Sequence, residues 1–266
     1  MMAAPMAVTL ILVAMHGYLG THVVRRGVIF VDIALAQIAA FGVAIALLLG
    51  SDVGTDKAFI VGLASTFIGA LLLSRTRTHD ARIPQEAYIG IIYVVFSAAM
   101  ILILTGIPHG GDEIDHLLVG AILWVTWPVV IKTAVLYGIL GAGLVCMHRS
   151  LTLISEDSAA ARSRGLSLRT WDFLFYMVLG TVVTSSVQIA GVLLVFTLLV
   201  VPSVMAIRLL ERSHHRFLYI LGIGVVAVVT GSGASYIFDL PTGAAIVCTF
   251  GLFLGVQVIM EIILRR

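Results

Sequence analysis

The chain has 266 residues, of which 60% are hydrophobic and only 11% are charged, and its mean hydropathy is +1.12. Soluble domains are about 45–50% apolar and about 25% charged, so the composition excludes an ordinary soluble enzyme. The net charge of +2 is small and comes from loop arginines, which report membrane orientation and exclude a nucleic-acid partner. Cys146 and Cys248 lie far apart in apolar runs, so we predict buried apolar side chains there, with no disulfide.

Long apolar runs divide the sequence into candidate membrane spans. A helix needs roughly 20 apolar residues to cross about 30 Å of hydrocarbon. Nine runs qualify, at about 4–20, 28–49, 58–74, 87–106, 127–147, 171–187, 189–208, 217–236 and 242–263. They predict an all-α polytopic membrane protein that forms one transmembrane domain over residues 1–266. It has nine spans, or eight if the first run lies in the interface. No separate soluble domain fits, so any ATPase must be another chain.

The basic residues show which way the chain threads. Of the sixteen Lys and Arg residues, fourteen lie in every second gap between runs or in the C-terminal tail. Loops rich in Lys and Arg stay in the cytoplasm. We therefore predict an inner-membrane protein with its N-terminus outside and its C-terminus in the cytoplasm.

The longest cytoplasmic gap, residues 148–170, contains a short helix signal. In SEDSAAARSRGL, Ser155 is the predicted N-cap, Glu156 and Asp157 occupy the first turn, and Gly165 is the stop. We interpret this segment as a cytoplasmic interaction helix. The alternative is a solvated turn that only connects two spans.

A few polar residues interrupt the apolar runs and are candidates for a cation route. An ionised side chain at mid-membrane costs on the order of 2.5–3.5 kcal/mol, which makes Asp32 and its neighbour Gln37 the first choice, although both could be packing residues. Glu86 opens the fourth run, where capping competes with a route function. In the outer loop PHGGDEIDH, Asp115 and His116 offer divalent-cation ligands; the alternative is an ordinary acidic exterior loop.

Sequence motifs for catalysis are missing. The sequence has no GxxxxGK[ST], GxSxG or HExxH. We predict a non-enzymatic chain without a covalent cofactor.

Six segments together resemble the permease subunit of ATP-binding-cassette importers for zinc and manganese. ALAQIAAFG (34–42) is similar to that family's ALSHAALPG, and QEAYIGIIY (85–93) to its EDxAIGI. DHLLVGAIL (115–123) is similar to DLLFGNIL, and DSAAARSRGL (157–166) to DPExARxLGL. GVLLVFTLLVVPSVMA (191–206) is similar to GxLLVxALLxxPAAxA, and SYIFDLPTGAAIV (235–247) to SYxxDxPxGAxIV. Their order and spacing extend the resemblance over nearly the whole chain.

The resemblance implies a divalent metal as transported substrate, zinc or manganese and possibly iron. It implies a homodimer of permeases in membrane lipid, a cytoplasmic ATPase and an extracytoplasmic metal-binding protein. It makes residues 148–170 the coupling loop, whose coupling residues are Asp157, Ala161, Arg162, Gly165 and Leu166.

The sequence departs from the family pattern at the metal route. Gln37 replaces the family's histidine, Asp32 lies one position from the family's aspartate, which aligns with Ile33, and Phe41 replaces a proline. In the coupling segment, Ala159 replaces a glutamate. Two rival classes stay open: a stand-alone secondary carrier or channel, and a membrane scaffold that transports nothing.

Overall fold

A computed structural model describes residues 3–52, 55–77, 83–107, 122–211 and 213–264. Over these ranges the chain forms nine α-helices and one short 3-10 helix (Ile122–Trp124), with no strand. The α-helices are α1 (Ala3–Arg26), α2 (Val31–Leu48), α3 (Asp56–Arg75), α4 (Gln85–Leu104), α5 (Trp127–Glu156), α6 (Ser158–Ser163), α7 (Leu168–Leu209), α8 (Ser213–Phe238) and α9 (Thr242–Leu264). All except α6 are long and apolar enough to cross a membrane.

Helix α7 is two membrane-crossing arms joined at Gly191. Its 42 residues are interrupted there by φ 74° and ψ 160°, a conformation open essentially only to glycine. On α1, the His16 side chain is hydrogen-bonded to Ser186, and the backbone carbonyl of Gly17 accepts a hydrogen bond from Ser203. Positions 186 and 203 would lie about 25 Å apart in a straight helix, so the chain reverses at Gly191. The arms, 168–190 and 192–209, match the predicted runs 171–187 and 189–208.

Helix α1 is a core helix that packs against α5, α7 and α8. Leu12 and Leu19 of α1, and Phe175 and Leu198 of α7, are fully buried in the main core. A side chain at Gly20 would collide with the backbone of Leu199, so glycine lets α1 and α7 approach closely. The first apolar run is therefore a full-length core helix and does not lie in the interface.

The two free cysteines differ from the prediction. Cys146 on α5 and Cys248 on α9 are both exposed. They lie on the outer surfaces of helices that contact few neighbours. An apolar side chain in a membrane protein can face lipid instead of other protein residues, so the apolar run alone did not imply burial inside the bundle.

Candidate cation route and coupling segment

Asp32 lies in the first turn of α2 and is 2% exposed. Its carboxylate accepts a hydrogen bond from the backbone N–H of Ile33 at 2.8 Å, and within the described part of the chain no cationic side chain pairs with it. A buried carboxylate without a counter-ion is costly. The group therefore has free capacity to bind a cation.

Gln37 follows on the same helix and is 8% exposed. Its side-chain oxygen is buried and accepts no hydrogen bond from any described residue. Gln37 lies five positions after Asp32, which places the two side chains about 140° apart around the α2 axis and about 7.5 Å apart along it. They therefore lie on different faces of α2 and do not form one joint binding site.

Glu86 has a structural contact where α1 leads into α2. Its Oε1 accepts from the backbone N–H of Ile29 at 2.8 Å, in the turn between these two helices. The carboxylate thus ties the start of α4 to the entry of α2, and its own position in the first turn of α4 suits that helix's N-terminus. It caps neither helix through a side-chain bond in the described residues.

The predicted outer-loop ligands Asp115 and His116 lie outside the described residues. Among the residues that are described, no three His, Cys, Asp or Glu side chains come together in a way that could hold a metal ion. One chain's described part therefore supplies isolated oxygen ligands on α2 and no complete metal centre.

The predicted cytoplasmic helix exists as α6, but its cap differs from the prediction. Asp157 is the N-cap, and its carboxylate accepts from the N–H groups of Ala159 and Ala160 at 3.0 and 2.9 Å. Ser155 and Glu156 are instead the last residues of α5. The carboxylate of Asp157 accepts two donors, whereas the Ser155 hydroxyl donates to the carbonyl of Leu151 within α5.

Gly165 ends α6 as predicted. Its φ is +79°, its N–H donates to the carbonyl of Arg162, and the N–H of Leu166 donates to the carbonyl of Ala161. These two bonds form the Schellman arrangement that stops a helix at glycine. Ala161 is fully buried against Ile154 of α5 and Leu168 of α7, which fixes α6 to the two helices beside it.

One buried ionic cluster escaped the sequence analysis. Asp172, in the first turns of α7, is 1% exposed and accepts from Arg26 of α1 at 2.8 Å and from Arg77, just past α3, at 2.6 Å. The only signal in the sequence was an acid at the start of an apolar run. Its partners lie 146 and 95 positions away, a distance no local pattern covers.

These features define a polytopic α-helical membrane protein with buried polar oxygens on one helix and a short capped helix, α6, between two long ones. The model of the ABC 3 transport family matches residues 1–261. The chain belongs to that family.

Relatives and a solved structure agree with this assignment. The chain is 25% identical over 237 residues to the manganese transport system membrane protein MntC of Halalkalibacterium halodurans, covering 87% of this chain and 77% of MntC. It is 26% identical over 240 residues to the chelated iron transport system membrane protein YfeC of Yersinia pestis, covering 90% and 79%. The structure of PsaBC from Streptococcus pneumoniae in complex with Fab matches with a TM-score of 0.79 at 21% identity, covering 96% of this chain and 89% of that one.

Proposed function

We propose that this chain is the membrane permease of an importer that moves Mn²⁺, or Fe²⁺ as second choice, into the cytoplasm. The observation that carries the proposal is the pair of buried oxygen ligands on α2. Asp32 has no cationic partner and the side-chain oxygen of Gln37 has no donor among the described residues. Bundles normally satisfy such groups internally, so a passing cation is the partner that they lack.

The chemistry of these ligands favours manganese over zinc. Carboxylate and amide oxygens suit Mn²⁺, whereas zinc in proteins prefers histidine nitrogen and cysteine sulfur. Gln37 therefore explains a shift away from zinc at the position where the resembling permeases carry histidine. The names of the manganese and iron relatives support the same choice.

Energy for transport would come from a separate ATPase that docks on α6. Support comes from the geometry of α6, which is capped at Asp157, stopped at Gly165 and fixed through Ala161 to α5 and α7. Arg162 and Leu166 are the remaining proposed coupling residues of this segment. A rigid short helix between two long ones can transfer a push to both.

The remaining partners follow from the family membership. We propose two copies of this chain in the inner membrane, an extracytoplasmic metal-binding protein facing the outer loop, and both Asp115 and His116 on that outer side. The C-terminus would lie in the cytoplasm, because the arginine-rich gaps alternate in that sense.

The test is uptake of radioactive Mn²⁺ into proteoliposomes that contain this chain and its ATPase. We expect uptake only with ATP, and a loss of about tenfold or more for Asp32→Asn, because the amide keeps the shape but loses the charge that attracts the ion. The matched control is Asp52→Asn, since Asp52 is an exposed acid between α2 and α3, and it should transport normally.

Two results would contradict the proposal. Uptake without ATP, by a chain that purifies without any ATPase, would identify a secondary carrier. If Asp32→Asn took up Mn²⁺ normally and showed no preference for one cation over another, α2 would not line the route.

A further inference from the structure

The last two residues of α5 connect the coupling segment to the rest of the bundle. Ser155 Oγ lies 2.9 Å from Nε of Arg26 and 3.0 Å from Nδ1 of His22, both on α1. Its single hydrogen goes to the carbonyl of Leu151, so the hydroxyl accepts from Arg26 and His22. Only Asp157 separates this serine's helix from α6.

Glu156 makes a second set of contacts on the same turn. Its Oε1 pairs with Arg25 of α1 at 2.6 Å and lies 3.7 Å from Arg216 of α8. Glu156 is half-exposed, and exposed ion pairs contribute little to stability. Its importance is positional, because it lies directly before the N-cap of α6.

Arg26 carries the connection inward. Its side chain is 4% exposed, its guanidinium lies 4.2 Å from the ring centre of Phe175, and it donates to Asp172. Asp172 also binds Arg77, so one buried carboxylate joins α1, α7 and the end of α3. We name Ser155, Arg26, Asp172 and Arg77 the cytoplasmic cluster.

The charges of the cytoplasmic cluster do not balance internally, because two guanidiniums share one buried carboxylate. Separating Arg26 from Asp172 would leave a buried guanidinium without its carboxylate, which is costly, so α1 and α7 are held together at this point. Arg77, which is 22% exposed, ties the end of α3 to the same carboxylate.

We propose that Asp172 is a positioning residue for transport, and that the cytoplasmic cluster carries the movement of α6 to α1, α3 and α7. A displacement of α6 shifts Ser155, Ser155 shifts Arg26, and Asp172 passes the shift to α7 and α3. This inference rests on the proposed function, because it assumes that an ATPase acts on α6.

The test measures the amount of Mn²⁺ taken up per ATP hydrolysed by the complex of this chain with its ATPase in proteoliposomes. For Asp172→Asn we expect the ATPase to stay bound and active while uptake per ATP falls about tenfold. Because that variant leaves two arginines without a counter-ion, the double variant Arg26→Gln/Asp172→Asn is measured beside it. It restores the net charge of the cluster and keeps only Arg77, whose side chain is 22% exposed, so it should show the same loss at normal thermal stability.

Three further substitutions separate the hydrogen-bonded connection from the effect of charge. Ser155→Ala breaks the bond to Arg26 with every charge kept, and should lower uptake per ATP. Ser163→Ala is its control, because the Ser163 hydroxyl bonds only Ala160 within α6. Glu261→Gln loses the ion pair with Arg208, which lies away from the cytoplasmic cluster, and should show normal uptake of Mn²⁺ per ATP.

The outcomes separate the two proposals. A wild-type complex that takes up Mn²⁺ without hydrolysing ATP contradicts the proposed function and this inference with it. A wild-type complex that couples, with an Asp172→Asn variant that couples equally well, overturns this inference alone. So does loss of ATPase binding or of thermal stability in the charge-restored double variant, because the cluster would then only hold the fold.

Discussion

Gln37 differs from the other buried glutamine of the bundle in what surrounds its amide. Gln257 of α9 donates to the carbonyl of Met205 and to Glu261, and its oxygen accepts from Tyr219. The oxygen of Gln37 has no such donor. A packing role therefore explains Gln257 and leaves Gln37 unexplained. Substitutions at the two positions should therefore change different properties of the protein.

We predict that Gln37→His raises the potency of Zn²⁺ as a competitor of Mn²⁺ uptake by about tenfold or more, because imidazole nitrogen binds zinc better than an amide oxygen does. Competition in proteoliposomes measures it. Gln257→His is the control; it should lower thermal stability by breaking satisfied hydrogen bonds while leaving the metal preference unchanged. Equal Zn²⁺ potency in the wild type and Gln37→His would place Gln37 off the route.

The sequence offered Asp32 and Gln37 as candidates because polar residues stand out in an apolar run, and the structure shows that both are buried. It did not identify Asp172, which follows Arg169 at the edge of a run and resembles an ordinary helix-end charge. Its meaning depends on Arg26 and Arg77, and only the packed bundle brings these residues together.

At the scale of the elements, backbone conformation at the turns decided where helices end more than the length of the apolar runs did. The break between the sixth and seventh runs was expected around Gln188, but the chain turns at Gly191, where φ is 74°. Hydropathy locates a gap to within a few residues, and only the backbone conformation shows which residue can occupy it.

We predict that Gly191→Ala lowers thermal stability in detergent, with a cost of order 1–3 kcal/mol, because an alanine side chain is strained at this φ and ψ. The matched control is Gly143→Ala on α5. Gly143 has helical backbone and open space around it, so alanine there should leave stability unchanged or raise it. If both variants melt alike, the turn at Gly191 carries no special strain.

The end of α5 also differed from its predicted edge at residue 147. Apolar composition falls after Met147, but the helix continues to Glu156 because Leu151 and Ile154 are buried against other helices. Tertiary packing extended a helix that membrane-spanning length alone would have ended.

At the scale of the whole molecule, counting α7 as two arms gives nine candidate crossing segments in the described ranges, an odd number that agrees with the proposed topology. The number of segments and their order were predictable because every apolar run became a helix. The packing of α1 against α5, α7 and α8 was not, because hydropathy gives no information on which helix neighbours which.

We predict that a charged, membrane-impermeant maleimide labels Ser51→Cys but not Arg164→Cys in intact spheroplasts, and labels both after lysis, because the proposed topology puts the end of α2 outside and α6 in the cytoplasm. The wild-type protein, with Cys146 and Cys248 in apolar helices, gives the background. The reverse labelling pattern would invert the orientation.

The length of α5 has one more consequence. Thirty residues make a rod about 45 Å long, while the hydrocarbon layer is only about 30 Å thick. An upright rod of this length extends beyond the acyl chains, and in the proposed orientation α6 is attached to its cytoplasmic end. A protein that binds α6 would then contact a segment that protrudes beyond the lipid surface. Its affinity should therefore depend little on which lipids surround the bundle.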